Sequence, residues 1–568
     1  MENPPNAQRA LLDDEKVRNV STKHHYDVKP SYLNRNAWRN VKKKLRTRKM
    51  LLIITGVVIA IFVLIILVHA LNRPHNHVIK PPEPKQVKLE INQAKQRPHI
   101  VFIVGDDYGW NDVSWHNKDM VTPNLEQLAE TGVVLDKYYA YPTCTPSRAA
   151  SLTGYYAHRM GLHHRVIEEF QTKHVPTNIP MISEVLREEG YATHAVGKWH
   201  LGHCSSNYTP THRGFDSFFG YRFSTGDYYT HIHHGFYELW QNDEPYFDTA
   251  KTYSTDLYSA RAVSITKAHA QEHGNGKPMF LYLAFQNVHG PQEDPPVRYH
   301  VNSSTNIPNR RVITNSAHAM DQAVGHLVDT LKQTGLYENT LIVFVSDNGG
   351  EISNGGNNLP FRGGKFTAWE GGTHVPAFIH SPLLANPGRV YRGLFHVVDW
   401  FPTLLSAIGI RHHKMGYDGI DLWEPIRTGR TSRPERYTFM YEFDPKRTAA
   451  IRVGKYKLIQ GNPVDSTYAW SIRQGPEPHG DPNCWMKPDE YFRTQKCDTI
   501  VSDTMLFDIE ADPEEKFDLA RLLPDVVEKL KTRIGKEKAR AVKLQDETGH
   551  RNKAMKFVKD HIMYPGWC

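Results

Sequence analysis

Between Ile100 and Val345, short continuous apolar runs alternate with longer segments of helical periodicity. An apolar run without polar alternation has no side to offer water, so it belongs in a sheet covered on both faces. Strands linked through helices pair in parallel. Strands are expected over Ile100–Val104, Val133–Leu135, Ala192–Val196, Met279–Phe285 and Leu341–Val345. Helices are expected over Pro146–Thr153, Ile182–Glu189, Thr255–His269 and Ala317–Gln333, and another opens at Thr122-Pro123 and is stopped by Gly132. The fold class is therefore α/β, with a large, mostly parallel sheet sandwiched by helices. After Pro425 the pattern changes to alternating strands, Ala450–Ile459 with a turn at Gly454 and then Met505–Ile509, which implies a smaller C-terminal antiparallel sheet. Val526–Leu544 reads as a basic helix that covers this sheet or faces solvent.

In open parallel sheets, ligands gather at the carboxyl ends of the strands. The first strand runs directly into Asp106-Asp107, and the strand ending at Val345 runs into Ser346-Asp347-Asn348-Gly349-Gly350. If these strands are neighbours, three carboxylates and an amide oxygen converge, a hard oxygen set that suits Ca²⁺ or Mg²⁺ and not zinc. Asp and Asn after strands also cap turns, but three carboxylates brought together repel one another unless a cation is present. Lys198 and His200 follow the strand ending at Val196, His289 follows the strand ending at Phe285, and Lys365 lies in the glycine-rich loop Gly363–Gly371. Any one of them alone reads as a solvated loop residue. At three separate strand-end or loop positions, they read as anion-binding and proton-carrying groups.

A lone cysteine completes the pattern in Cys144-Thr145-Pro146-Ser147-Arg148, followed by Ala149-Ala150-Ser151-Leu152-Thr153-Gly154. Proline suits a first helical turn, Thr145 can cap it, and Gly154 can close it. Cys144 then sits at the positive end of a helix, where a thiolate or other anion is favoured. A buried or disulfide-bonded cysteine is the alternative.

The order C-x-P-S-R followed by A-A-S-L-T-G resembles the signature of the formylglycine-dependent sulfatase family, and the likeness extends over nearly all of the chain beyond its N-terminal segments. The resemblance implies an alkaline-phosphatase-like fold and makes Cys144 the catalytic residue, oxidised to formylglycine by the formylglycine-generating enzyme during synthesis. A hydrated aldehyde carries two hydroxyls on one carbon. One attacks sulfur and expels the alcohol, and the other collapses to the aldehyde and releases sulfate, whereas a serine would remain as a stable sulfate ester. The resemblance further implies one Ca²⁺ held by Asp106, Asp107, residue 144, Asp347 and Asn348. It implies that Lys198 and Lys365 bind sulfate oxygens and that Arg148 steadies the hydrate and the metal carboxylates. His289 with Lys365 would protonate the leaving alcohol, and His200 would assist sulfate release.

Ser114-Trp115-His116-Asn117, Gly161-Leu162-His163-His164 and Val288-His289 resemble the arylsulfatase B group, which removes 4-sulfate from N-acetylgalactosamine in glycosaminoglycans. The chain departs from that group in having a membrane anchor and in lacking cysteines over Arg165–Pro180. Two other functions remain open: a phosphate or phosphonate monoester hydrolase of the same superfamily, and an inactive membrane-anchored glycan-binding protein. A nucleic-acid binder would rest only on the basic run Lys42–Lys49.

That basic run closes a polar cytoplasmic tail, residues 1–50, and is followed by the apolar stretch Leu51–Leu71, long enough to cross a bilayer of about 30 Å. Basic residues stay on the cytosolic side, so this is a type II single-pass signal anchor with everything beyond it lumenal or extracellular. Residues 72–97, with four prolines among charges, form a stalk, 98–425 the catalytic domain and 426–568 the C-terminal subdomain. Lumenal placement makes Asn207 and Asn302 glycosylation candidates. Once Cys144 is oxidised, four of the five cysteines remain for two bridges. Cys484–Cys497 is the first pairing, and Cys204–Cys568 the weaker guess. The 39% hydrophobic and 23% charged composition is that of a folded protein. The net charge of +8 and 32 histidines suit a polyanionic substrate such as a sulfated glycan. The clusters His163-His164, His231–His234 and His412-His413 read as solvated surface, with no matching ligand set for zinc, and His231–His234 are candidates to bind the acidic sugars that flank a sulfated residue.

Overall fold

The computed structural model describes residues 96–302, 305, 307–410, 416–430, 435–444, 448–463 and 502–568. The tail, the anchor, most of the stalk, His412-His413 and the Cys484–Cys497 pair lie outside these residues. Among the described residues, no helix is long and apolar enough to cross a membrane.

The strands are β1 (His99–Gly105), β2 (Val133–Tyr139), β3 (Ala192–Lys198), β4 (Ser217–Tyr221), β5 (Ile232–His233), β6 (Phe236–Tyr237), β7 (Trp240–Gln241), β8 (Glu244–Pro245), β9 (Met279–Ala284), β10 (Thr340–Ser346), β11 (Ala377–His380) and β12 (Arg389–His396). Ten of them form one mixed sheet in the order β12-β2-β11-β10-β1-β9-β3-β4-β7-β8. The run β10-β1-β9-β3-β4 is parallel throughout, as the apolar runs require. β11 is antiparallel to both of its neighbours and makes the sheet mixed.

Along β1 the side chains divide between two cores. Ile100, Phe102 and Val104 pack on one face with Trp400, Phe401 and Leu404 of the helix Trp400–Ala407. Val101 and Ile103 pack on the other face with Met320, Val324 and Leu327 of the helix Pro308–Gln333. Each such large side chain contributes about 1.5–3 kcal/mol on burial, so the strand is held from both sides. The Pro308 helix starts well before the expected Ala317, because the polar residues of its first turns hide the helical periodicity from a reading of the sequence.

The C-terminal strands β13 (Thr438–Asp444), β14 (Thr448–Val453), β15 (Tyr456–Gly461) and β16 (Thr504–Asp508) form the antiparallel sheet. The basic helix Pro524–Arg540 covers it by placing Val527, Leu530 and Ile534 against Met440, Ile451, Leu458 and Leu506. Cys204 and Cys568 are joined, with Cα atoms 5.5 Å apart, in a cluster with Phe223, Phe236, Met563 and Trp567. The pairing that looked weaker from the sequence is thus the one found among the described residues.

The signature helix runs from Cys144 to Thr153, and Gly154 closes it at φ 74° with its N–H on Ala150 O at 2.8 Å. It begins earlier than expected. Thr143 holds the capping position without a side-chain bond, and Thr145 is inside the helix, where its hydroxyl donates to His200 O at 3.1 Å and accepts from Ile167 N–H at 3.2 Å.

Candidate active site

β1 and β10 are parallel neighbours with Gly105 opposite Ser346, so the chain leaves the sheet at two adjacent points carrying Asp106-Asp107 and Asp347-Asn348. The Asp107 N–H donates to Asp347 Oδ1 at 3.3 Å, and Asp107 takes φ 64°, which turns its carboxylate back toward the cluster. All three carboxylates are buried, and each faces a buried cation. Lys198 Nζ lies 2.7 Å from Asp106 Oδ2, Lys365 Nζ 2.8 Å from Asp107 Oδ2, and Arg148 Nε 2.9 Å from Asp347 Oδ2. Arg148 also reaches Asp106 Oδ1 at 3.5 Å, so it bridges the two strand ends. Burial pushes the Asp106 and Asp107 carboxyls up. The facing groups overcome it, Lys198, the His289 ring and Arg148 for Asp106 and Lys365 and the His289 ring for Asp107, and hold both below the usual carboxylate range.

Cys144 is only 1% exposed, and its Sγ lies 3.6 Å from Asp106 Oδ1. Burial pushes its thiol far above the ordinary cysteine range despite Lys198 and Lys365. The thiolate expected at this helix end is therefore not favoured, because desolvation and the nearby carboxylates exceed the attraction of the helix dipole. One ligand atom each from Asp106, Asp107, Cys144 and His289 lie within 4.8 Å of one another. The Asn348 amide nitrogen donates to Asp107 Oδ1 at 2.6 Å, while its buried Oδ1 has no hydrogen-bond partner.

The two histidines differ in their protons. His200 Nε2 donates to Ile167 O at 3.0 Å, and its buried Nδ1 has no partner. Burial, then Lys198 and Arg148, push its pKa far below the ordinary range, so His200 is a neutral base and not a cation. His289 is half-buried, with Nδ1 2.7 Å from Gly290 O and Nε2 3.7 Å from Asp107 Oδ2. A carbonyl only accepts, so Nδ1 carries a proton and Nε2 faces the cluster.

All ten residues expected at strand ends and loops thus meet in one cluster. Glu351 was not anticipated. It lies 3.9 Å from Lys365 Nζ, on the loop that begins with Asp347, and only its position after Gly349-Gly350 could have flagged it. The glycines set the approach of the two loops: a Cβ on Gly349 would fall 1.9 Å from Gly371 O, while Lys365 N–H reaches Gly350 O at 3.2 Å.

A second buried network ties this loop to the C-terminal sheet. Lys457 Nζ lies 2.9 Å from Glu370 Oε1 and 2.8 Å from Glu515 Oε1. Burial pushes Glu515 up to about 7 against the pull of Lys457, with Glu370 adding to the rise. Glu370 is held well below the usual range, Lys457 and His374 overcoming its burial, and stays ionised near neutrality. A raised carboxyl pKa in the folded state stabilises its protonated form, so this contribution is complete below about pH 4.5 and lost as the pH rises through about 7. Glu515→Gln should therefore flatten the loss of stability between about pH 4.5 and 8, on the order of 2 kcal/mol, in denaturant titrations. An unchanged pH profile in the variant would rule this out.

The histidine clusters are not the solvated surface expected. His163, His231 and His233 are buried, and among the four residues His231–His234 only Ile232 and His234 are exposed. Asn207 and Asn302 are both exposed.

The sulfatase family profile matches residues 98–410. Arylsulfatase J of Mus musculus is 39% identical over 474 residues, spanning 78% of this chain and 76% of its own. N-acetylgalactosamine-6-sulfatase of Canis lupus familiaris is 31% identical over 389 residues, spanning 64% and 72%. The crystal structure of Ps i-CgsB in complex with k-i-k-neocarrahexaose superposes with a TM-score of 0.67 at 27% identity, over 81% of this chain and 97% of that one.

Proposed function

The chain belongs to the sulfatase family, a family of sulfuric ester hydrolases, and from that premise we propose that it cleaves sulfate monoesters of glycans using formylglycine at position 144 and one bound Ca²⁺. The observation that carries this reading is the convergence of ten side chains on residue 144, with three carboxylates matched by Arg148, Lys198 and Lys365.

The residues fit a hard cation. Asp106, Asp107, Asp347 and Asn348 supply oxygens only, and Asn348 Oδ1 is a buried acceptor without a donor. Calcium held there would turn a neutral cluster of three acids and three bases into one of about +2, favouring a sulfate oxygen and the charge that develops on it. A formylglycine hydrate at 144 would supply the attacking hydroxyl and a second hydroxyl through which sulfate is released. Arg148 holds Asp106 and Asp347 at fixed spacing. Lys198 and Lys365, already desolvated, have ammonium donors to share between the carboxylates and an anion. His289 keeps its Nδ1 proton on Gly290 O, so a second proton on Nε2, beside Asp107 at 3.7 Å, is the one it would give to the leaving alcohol. The unpartnered Nδ1 of neutral His200 is suited to accept a proton during sulfate release.

Glycan substrates are supported by the bound oligosaccharide of Ps i-CgsB, by the name of the canine relative, and by the charge of +8 with 32 histidines. Within that class we assign N-acetylgalactosamine 4-sulfate of glycosaminoglycans. The chain is further proposed to be a type II membrane protein acting in the lumen or outside the cell, anchored by Leu51–Leu71 and modified by the formylglycine-generating enzyme.

The test compares 4-nitrophenyl sulfate with 4-nitrophenyl phosphate on the purified chain. The expected result is a kcat/KM at least about 10²-fold higher for the sulfate, a discrimination of about 2.7 kcal/mol. A preference for phosphate would replace this reading with a phosphomonoesterase.

A further inference from the structure

We propose that Glu169, His233 and His234 form a zinc-binding site, made of residues other than those of the catalytic cluster, that holds the loop of Glu169 to the turn between β5 and β6. One ligand atom from each lies within 4.8 Å of the others. Glu169 Oε2 is 3.6 Å from His233 Nε2, and Glu169 Oε1 is 3.3 Å from His234 Nδ1. Ligands about 2.0–2.2 Å from a tetrahedral zinc stand about 3.3–3.6 Å apart, the spacing of each imidazole from one of the two Glu169 oxygens, so a small turn of the carboxylate would let one oxygen and both rings share an ion.

Two features set this trio apart from a chance surface cluster. The His233 side chain is only 2% exposed, yet its Nε2 has no hydrogen-bond partner and points at Glu169 from beyond hydrogen-bonding distance. A buried imidazole nitrogen left in this way costs free energy that a metal bond would recover. Consecutive residues of a strand also point to opposite faces. Here His234 takes φ 46° at the turn between β5 and β6, and the two rings come to 4.2 Å between centroids.

Two imidazoles and one carboxylate are the donor set of borderline divalent ions, and not of calcium. The His234 side chain is 68% exposed, so the trio can be reached from solvent. The site would join the β5–β6 turn to the loop of Glu169, whose backbone oxygen accepts from His203 Nε2 at 2.9 Å. Two residues earlier the same loop presents Ile167 O to His200. The ion would therefore fix the loop that orients His200 without touching the reacting atoms.

The test uses the full chain without a histidine tag, loaded with Zn²⁺ in the presence of excess Ca²⁺, dialysed, and measured for metal content and thermal stability. The expected result is one zinc per chain, a higher melting temperature with zinc, and an affinity at least about tenfold weaker in both His234→Ala and Glu169→Gln. His234 is exposed, so the alanine variant should fold as the parent does. Absence of zinc uptake by the parent chain, uptake unchanged in both variants, or displacement of the zinc by Ca²⁺ would each overturn the proposal.

Discussion

Cys144→Ala is expected to lower turnover of 4-nitrophenyl sulfate by at least about 10⁴-fold while leaving the thermal unfolding of the chain nearly unchanged. The side chain is small and buried, and its polar contact is a single one, 3.6 Å to Asp106, so removing its sulfur costs little packing. The chemistry is another matter. Burial raises the thiol above the ordinary cysteine range and makes it a poor nucleophile, and in the proposed reaction the nucleophile is its oxidised form. Cys144→Ser should show the consequence directly: a serine hydroxyl can take the sulfuryl group but has no second hydroxyl with which to expel it. A single substoichiometric release of 4-nitrophenol, with sulfate retained on the peptide containing residue 144, is the expected signature. Mass spectrometry of the parent peptide should find an aldehyde in place of the thiol. Only unmodified cysteine in a fully active preparation would end the formylglycine reading.

Asp107→Asn is expected to reduce kcat by about 10³-fold, the several kcal/mol that a catalytic cation supplies. This carboxylate touches three of the expected site residues, Lys365 at 2.8 Å, Asn348 at 2.6 Å and His289 at 3.7 Å. Its amide has only one acceptor oxygen and no charge, so Lys365 is left buried against an uncompensated partner and the hard-oxygen site is one carboxylate short. Exhaustive chelation should silence the parent chain to a similar degree. Readdition of Ca²⁺ should restore the parent and not the variant at the same concentration, and bound calcium measured by atomic spectroscopy should follow the activity. Full turnover in a metal-free preparation would remove the cation from the reaction.

Much of the site was legible because its residues sit where an α/β sheet places ligands. Asp106 and Asp347 follow apolar runs directly, and the structure needs only β1 beside β10 for their carboxylates to converge. Lys198 is the last residue of β3, two strands away from β1. His200 was legible as a member of the site, but not as a neutral base, because its protonation depends on Ile167 O and on the cations around it. The helix start at Cys144 and the state of its thiol were misread for the same reason. Local capping rules place Thr145 outside the helix, and the helix dipole favours an anion at its end. The bond from Thr145 to His200 O and the burial of Cys144 decide otherwise. Glu169 had no sequence signal of its own and Glu351 only its place after Gly349-Gly350; each became a candidate through the partner that folding brings to it.

The sequence by itself determined five strands of the sheet, most of its helical cover, strands of the C-terminal antiparallel sheet and the set of residues that the catalytic end of the sheet would present. Periodicity and strand-end position are local properties, and continuous apolar runs leave the chain few ways to bury them. Only the tertiary structure decided which charges neutralise one another, which histidines are buried, that Cys204 pairs with Cys568, and that Glu169 meets His233 and His234. Those outcomes depend on desolvation and on distances between segments far apart in the chain, and neither quantity exists until the strands are paired and water has left the space between them.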